Sequence, residues 1–262
     1  MSLKNTTIAN SYKDLLQLDN SNSGITTSIK YIKDGEGTQS CMAVSDDVLL
    51  IQPQNDDTSA AFGVFTSSTD AVLLVDTTNE LVTASGNYVN TQYATFSIGH
   101  TESGGYAADT HNPLAFASAN YGGLGAFPTF GTGTDPATTF TTAEGSDTRA
   151  AELVPCLWYV NDAISIDAIK SIEGADTATG DTTRMHLFSY DFTSGATACL
   201  TNGALVAHNS DVTNAGSEQP YLTTWTVDSA AVSAGKVLLA FFESDSVNSD
   251  YSIQVTVKYH LT

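Results

Sequence analysis

Twenty-nine carboxylates are the most abundant ionisable groups in this chain, and three sets stand close in sequence: Asp46-Asp47, Asp56-Asp57, and Asp245 with Asp250. Paired carboxyls act as general acid and base, or as acid and nucleophile in glycoside hydrolysis, when they face each other across a cleft. Each set here falls in a polar turn between apolar runs, which reads as solvated turn chemistry. DTTNE (76–80) and DSVNSD (245–250) offer oxygens to Ca²⁺, but neither has the DxDxDG spacing of a calcium loop, so both read as turns. His100, His111, His186, His208 and His260 form no HxxxH or HExxH pair, and His186 and His260 read as packed or surface strand residues. Neither a GxSxG elbow, a P-loop nor a dinucleotide fingerprint occurs. Cys41, Cys156 and Cys199 show no CxxC and no metal spacing, and read as reduced thiols. The residues therefore predict no catalytic group, no metal site and no cofactor, and a protein that is not an enzyme.

Charge narrows the partners. Against 29 Asp and Glu stand 9 Lys and Arg, a formal charge of −20. Such a surface repels phosphate backbones and anionic bilayers, so neither nucleic acid nor membrane is an expected partner. Residues 1–30 hold no apolar run resembling a signal-peptide core, and no stretch reaches the roughly 18 apolar residues of a membrane span. With reduced cysteines, the expectation is assembly in a cytoplasm.

The elements that would position any site are strands. YSIQVTVKYHLT at the C-terminus alternates strictly: Tyr251, Ile253, Val255, Val257, Tyr259 and Leu261 on one side, Ser252, Gln254, Thr256, Lys258 and His260 on the other. GKVLLAFFES (235–244) reads as a strand buried on both faces, and as the antiparallel neighbour of the terminal strand through DSVNSD. YLTTWTVD (221–228) and RMHLFSYDF (184–192) read as half-buried strands, and residues 153–174 as two strands around an Asn161-Asp162 turn. Strands this short must stack in two sheets, so residues 99–262 are expected to form an antiparallel, jelly-roll-like β-sandwich. Its segment 99–150, rich in Gly, Thr and aromatics, reads as long, largely ordered loops.

Residues 31–98 form another strand array. SDDVLLIQPQNDD and STDAVLLVDTTNE echo each other 24 residues apart, with AAFGVFT (60–66) between them and ELVTA (80–84) after. Such a segment has too few bulky residues for a monomeric core, so copies from other chains are expected to cover Leu49, Ile51, Phe62, Val64, Leu73 and Val75. Ahead of it, NSYKDLLQLD places Tyr12, Leu15, Leu16 and Leu18 on one stripe of a two-turn helix. That helix is too short to persist in water unless it packs on its own body or docks on a larger assembly. Residues 1–30 are therefore read as an anchoring segment.

This order of parts, with AFGVFTSSTDAVLLVDTTNELV at its centre, resembles small fibre, spike or head-decoration proteins of tailed bacteriophages. The likeness is good over about residues 10–98, and over 150–262 it is one of architecture only. It implies a homotrimer with an intertwined β-strand shaft and terminal sandwiches around a threefold axis. It also implies an N-terminus attached to capsid or tail proteins, location in the virion after assembly in the host cytoplasm, and a part in host-surface attachment. Two other functions stay open: a lectin-like module, with Trp158, Trp225 and Tyr121 as candidate contacts for a host-surface glycan, and a polysaccharide-degrading tailspike.

Overall fold

The computed structural model describes residues 15–18, 20, 21, 23–99, 106, 108–117, 130–132, 135, 136, 140, 141, 153–175, 180–215, 219–246 and 250–262. Among these the protein is all-β, with antiparallel sheets and no α-helical element. The chain divides into two compact units, residues 1–89 and 90–262.

The first unit contains two four-stranded meanders. One runs β1 (Gln17–Leu18), β2 (Lys30–Lys33), β3 (Gln39–Val44), β4 (Leu49–Ile51); the other runs β5 (Phe62–Phe65), β6 (Ala71–Asp76), β7 (Leu81–Ala84), β8 (Asn87–Tyr88). All four apolar runs expected here are strands. The sequence echo is not a structural repeat, because VLLI supplies the edge strand β4 while VLLV supplies the inner strand β6. The helix expected over 10–18 lies mostly outside the described residues. At its end Gln17 and Leu18 pair with Lys33 and Ile32 as a β-ladder, which satisfies their backbone groups without a helix.

The second unit is a β-sandwich. Its first sheet orders β11 (Ala115–Phe116), β9 (Thr91–Ile98), β24 (Tyr251–Leu261), β16 (Ile164–Ala175) and β20 (Gln219–Thr224), with β22 (Ala231–Val232) also on β16. The second orders β10 (Asn112–Pro113), β23 (Lys236–Ser244), β17 (Thr182–Phe192), β18 (Ala198–His208) and β14 (Phe140–Thr141). Short β15 (Trp158–Tyr159), β19 (Val212–Thr213) and β21 (Thr226–Val227) join that sheet on β23, β17 and β18. A separate ribbon pairs β12 (Gly131–Thr132) with β13 (Asp135–Pro136).

The main core lies between the two sheets, where Phe96, Ile169, Val255 and Val257 meet Met185, Leu187, Leu238, Ala240 and Phe242. A second core covers the far side of the second sheet, where Phe130 and Leu153 pack on Phe188, Tyr190, Leu239 and Phe241. The second sheet is thus covered on both faces, and β23 is buried on both, as its unbroken apolar run requires. The outer face of the first sheet stays open.

Four expectations change. β23 is not the neighbour of β24: β24 lies between β9 and β16, and the turn after Ser244 carries the chain from one sheet to the other. A strand covered on both faces belongs to the middle layer, whereas β24, alternating buried and exposed, belongs to an outer one. The Asn161-Asp162 turn likewise joins strands of different sheets, and YLTTWTVD breaks at Trp225 into β20 and β21 on opposite sheets. Residues 91–98, assigned above to the shaft, form β9 inside the sandwich. Of the 99–150 loops, the described parts supply edge strands β10 and β11 and the core rings Tyr106, Phe116 and Phe130.

On β24 the predicted alternation is found from Tyr251 to Val257, while Leu261 is exposed at the strand end. Val255→Ala and Val257→Ala should each cost about 1–3 kcal/mol through lost burial and a residual cavity. Thr256→Ala, on the open face, should cost well under 1 kcal/mol, as surface substitutions do. Denaturant titrations of the three variants measure this, and equal losses would contradict the register.

One irregularity sets the chemistry of both faces of the first sheet. On β16, Ile164 and Ile166 point inward, but beyond Asp167 the inward positions are Ile169, Ser171, Glu173 and Ala175. Asp167 is a bulge residue: Ile166 pairs with Tyr259 and Ala168 with Lys258, leaving Asp167 without a counterpart on β24. One extra residue exchanges the two faces downstream. Glu173 therefore enters the core, while Lys170 and Ile172 face outward.

Candidate functional site

The carboxylate sets lie as turn chemistry would have them. Asp46, Asp47, Asp56 and Asp57 are exposed, and Asp245 accepts a hydrogen bond from the Thr182 backbone N–H at 2.8 Å. In DTTNE, Asp76 accepts from the backbone N–H and the side-chain amide of Asn79 (3.0 and 2.8 Å), bonds that hold its pKa below the usual carboxylate range. Its oxygens are thus engaged in the turn. Residues 247–249 of DSVNSD lie outside the described residues.

Two groups of titratable side chains are buried in the sandwich. His111 Nε2 and His186 Nδ1 are 2.7 Å apart, within hydrogen-bond distance, with both rings buried. Burial, followed by His111 and Arg184, lowers the His186 pKa to about 3, so His186 is neutral near pH 7. Arg184 beside them binds Asp211 in a bidentate pair (2.7 and 2.8 Å) and lies 3.6 Å from Glu243. Across the core Glu173 is 2% exposed, with neither carboxyl oxygen hydrogen-bonded, and burial raises its pKa to about 8. The histidines are enclosed by Phe241 and Phe188 and Glu173 by the sheets, while Arg184, Asp211 and Glu243 line an open pocket of about 250 Å³ with Asp109, Thr182 and Asp245. Among the described residues no group of three or more His, Cys, Asp and Glu is arranged to hold a metal ion. Cys41, Cys156 and Cys199 form no disulfide with one another.

The residues expected to mediate oligomerisation are brought together. Phe62 pairs with Val75 and Val75 with Val82; Val64 pairs with Leu73 and Leu73 with Ala84. These six side chains form one apolar face of the β5–β8 meander. Leu49 and Ile51 share a face of the other meander with Val44 and Met42. Leu49, Phe62 and Val64 are exposed, and Ile51, Leu73 and Val75 half-buried. Ala43 is the one fully buried apolar residue among the described residues of this unit. Leu15 and Leu16 are exposed, Leu18 is half-buried, and Tyr12 lies outside the described residues.

The two tryptophans present no ring to a glycan. Trp158 stacks on Phe116 (5.5 Å between ring centroids, interplanar angle 4°), and Trp225 is buried with its Nε1 donating to Ser171 Oγ at 2.8 Å. Their bulk is used for the core, which corrects their reading as glycan contacts. Tyr121 lies outside the described residues.

An open groove of about 440 Å³ runs across the outer face of the first sheet, between Tyr93 and Leu222, through Lys258, Thr256, Lys170, Gln254 and Ile172. Sequence reading missed it, although a trace exists: the inward set Ala94, Phe96 and Ile98 leaves Tyr93 facing out. The histidine pair left none, because its members are 75 residues apart with no shared motif. No protein-family model and no curated protein matches this chain.

Proposed function

We propose that this protein is a non-enzymatic structural component of a tailed-phage virion: a homotrimeric fibre, spike or head-decoration protein. Residues 1–30 would anchor the protein, residues 31–89 would form a shaft of intertwined strands, and residues 90–262 a jelly-roll-like head. The observation that carries this reading is the contrast between the two units. The sandwich has two closed cores, while the meanders expose Leu49, Phe62, Val64, Phe65 and Val72 on thin sheets. A sheet with one uncovered apolar face is stabilised by assembly, and identical copies supply matching strands. The resemblance of residues 10–98 to phage fibre proteins supplies the setting, and exposed Leu15 and Leu16 suit a docking segment.

Immuno-electron microscopy of tailed particles carrying the protein tests this reading, with label expected at one fixed structural position and its absence overturning it. Leu15→Asp with Leu16→Asp should leave a soluble, folded oligomer that fails to join particles, because charges buried at a docking site cost several kcal/mol. Normal incorporation would show that the leucines do not anchor.

A further inference from the structure

We propose that the groove on the open sheet binds an acidic, N-acylated glycan, and is the receptor-contacting surface of the head. This rests on the virion reading above and names the ligand class.

The bulge is the first reason. Without the bulge at Asp167, the alternation that buries Ile164 and Ile166 would also bury Lys170 and Ile172 and turn Ile169 and Glu173 to solvent. With it, Ile172 is 50% exposed, Glu173 is 2% exposed and Lys170 faces out. The bulge thus turns Lys170 and Ile172 out together on the open face, and bulges commonly re-aim side chains at binding sites.

Composition of the groove is the second. This chain of charge −20 has 9 Lys and Arg, and two of them, Lys170 and Lys258, line the groove, with no carboxylate among the described residues that line it. Lys170 forms no ion pair among the described residues. Carboxylate oxygens of a ligand would meet this pair. At about 0.15 M salt the field of distant acids is screened over roughly 8 Å. A glycan with scattered carboxylates also carries far less charge per length than a nucleic acid, with its one charge per about 1.7 Å of duplex.

The third reason is the order of side chains. Tyr93 pairs with Lys258, Lys170 with Thr256, and Ile172 with both Gln254 and Leu222. Tyr93, 66% exposed, offers a ring for the apolar face of a sugar; Ile172 and Leu222, 68% exposed, offer an aliphatic seat for an acyl methyl. Gln254 and Thr256 between them offer hydrogen bonds to hydroxyl and amide groups. Three strand spacings separate the ends, about 14 Å, long enough for more than one sugar ring.

Hyaluronan, which alternates a carboxylated sugar with an N-acetylated one, is a suitable probe against the full-length protein. Polygalacturonate (carboxylate only), chitin oligomers (acetamido only) and dextran (neither) complete the series. Calorimetry should show hyaluronan bound most tightly, dextran not bound, and Lys170→Glu or Lys258→Glu weakening hyaluronan roughly tenfold or more. Tyr93→Ala should weaken it without altering charge, and thermal melts should show these exposed-face variants folded. Absence of hyaluronan binding, equal binding of dextran, or binding indifferent to all three substitutions would overturn the proposal. A fall in oligomer mass on Leu222→Asp would also overturn it, by making the groove a contact between copies. Failure of glycan binding by a protein still trimeric and still on particles would remove this inference alone and leave the virion reading standing.

Discussion

Glu173→Gln should remove the loss of stability that ionising this carboxyl imposes on the sandwich between about pH 4.5 and about pH 8. An unfolded Glu173 releases its proton near the ordinary value of 4.5, whereas in the folded chain burial holds the proton until about 8. Below 4.5 both states are protonated, and this carboxyl adds no pH dependence. Between the two values the unfolded state binds fewer protons, so stability falls with rising pH, by an amount on the order of 5 kcal/mol once pH passes 8. His186 acts in the opposite direction. Its pKa is lowered from 6.5 to about 3, so its unfolded form takes up a proton first and stability falls as pH drops through that interval. The two windows together place the maximum contributed by these groups between about 4.5 and 6.5. Trp158 and Trp225, the chain's 2 tryptophans, both lie in the sandwich core, so their fluorescence reports this unit in denaturant titrations at stepped pH. Unchanged pH dependence in the glutamine variant would contradict the burial of Glu173, and with it the exchange of faces at Asp167.

Phe241→Ala and Phe242→Ala should each destabilise the sandwich by about 3–5 kcal/mol, the range for deleting a buried aromatic side chain. The two rings lie on opposite sides of β23. Phe242 packs edge-on against Tyr106 (5.4 Å) between the sheets, and Phe241 against Phe130 (5.0 Å) in the second core. In an ordinary two-layer sandwich one of the two would face solvent and its loss would cost little. Comparable large losses from both, measured in the same titrations, are expected here. A loss under about 1 kcal/mol for Phe241→Ala would show that the second core does not cover this sheet.

Much of the fold was legible because it depends on local periodicity. Alternation from Tyr251 to Val257, and the unbroken run VLLAFF, disclose which faces of β24 and β23 are buried whatever strands lie beside them. Pairing partners are not local. β24 is hydrogen-bonded to Thr91–Ile98, far upstream, and nothing within either strand names the other. The turn after Ser244 is equally compatible with a hairpin and with a crossing between sheets. The facing of Glu173 and Ile172 was not legible for a sharper reason. A single unpaired residue at Asp167 reverses their facing, and a sequence pattern averaged over the strand hides a one-residue shift. The groove was hidden with them, since its residues lie on strands whose neighbours had not been identified. The tryptophans illustrate the opposite error, where a residue type suited to sugar contact is used for packing. By contrast, the shaft residues share faces because each meander joins strands adjacent in sequence, a pairing that short turns enforce.

Sedimentation or light scattering of the full-length protein at micromolar concentration, beside a Leu49→Asp, Phe62→Asp double variant, tests most directly whether copies of the chain cover the exposed strands. The wild type should give about 82.5 kDa, three times the chain mass of 27.5 kDa. The double variant should fall toward 27.5 kDa while its tryptophan-reported sandwich transition stays in place. A wild-type protein that remains a 27.5 kDa monomer would contradict the account.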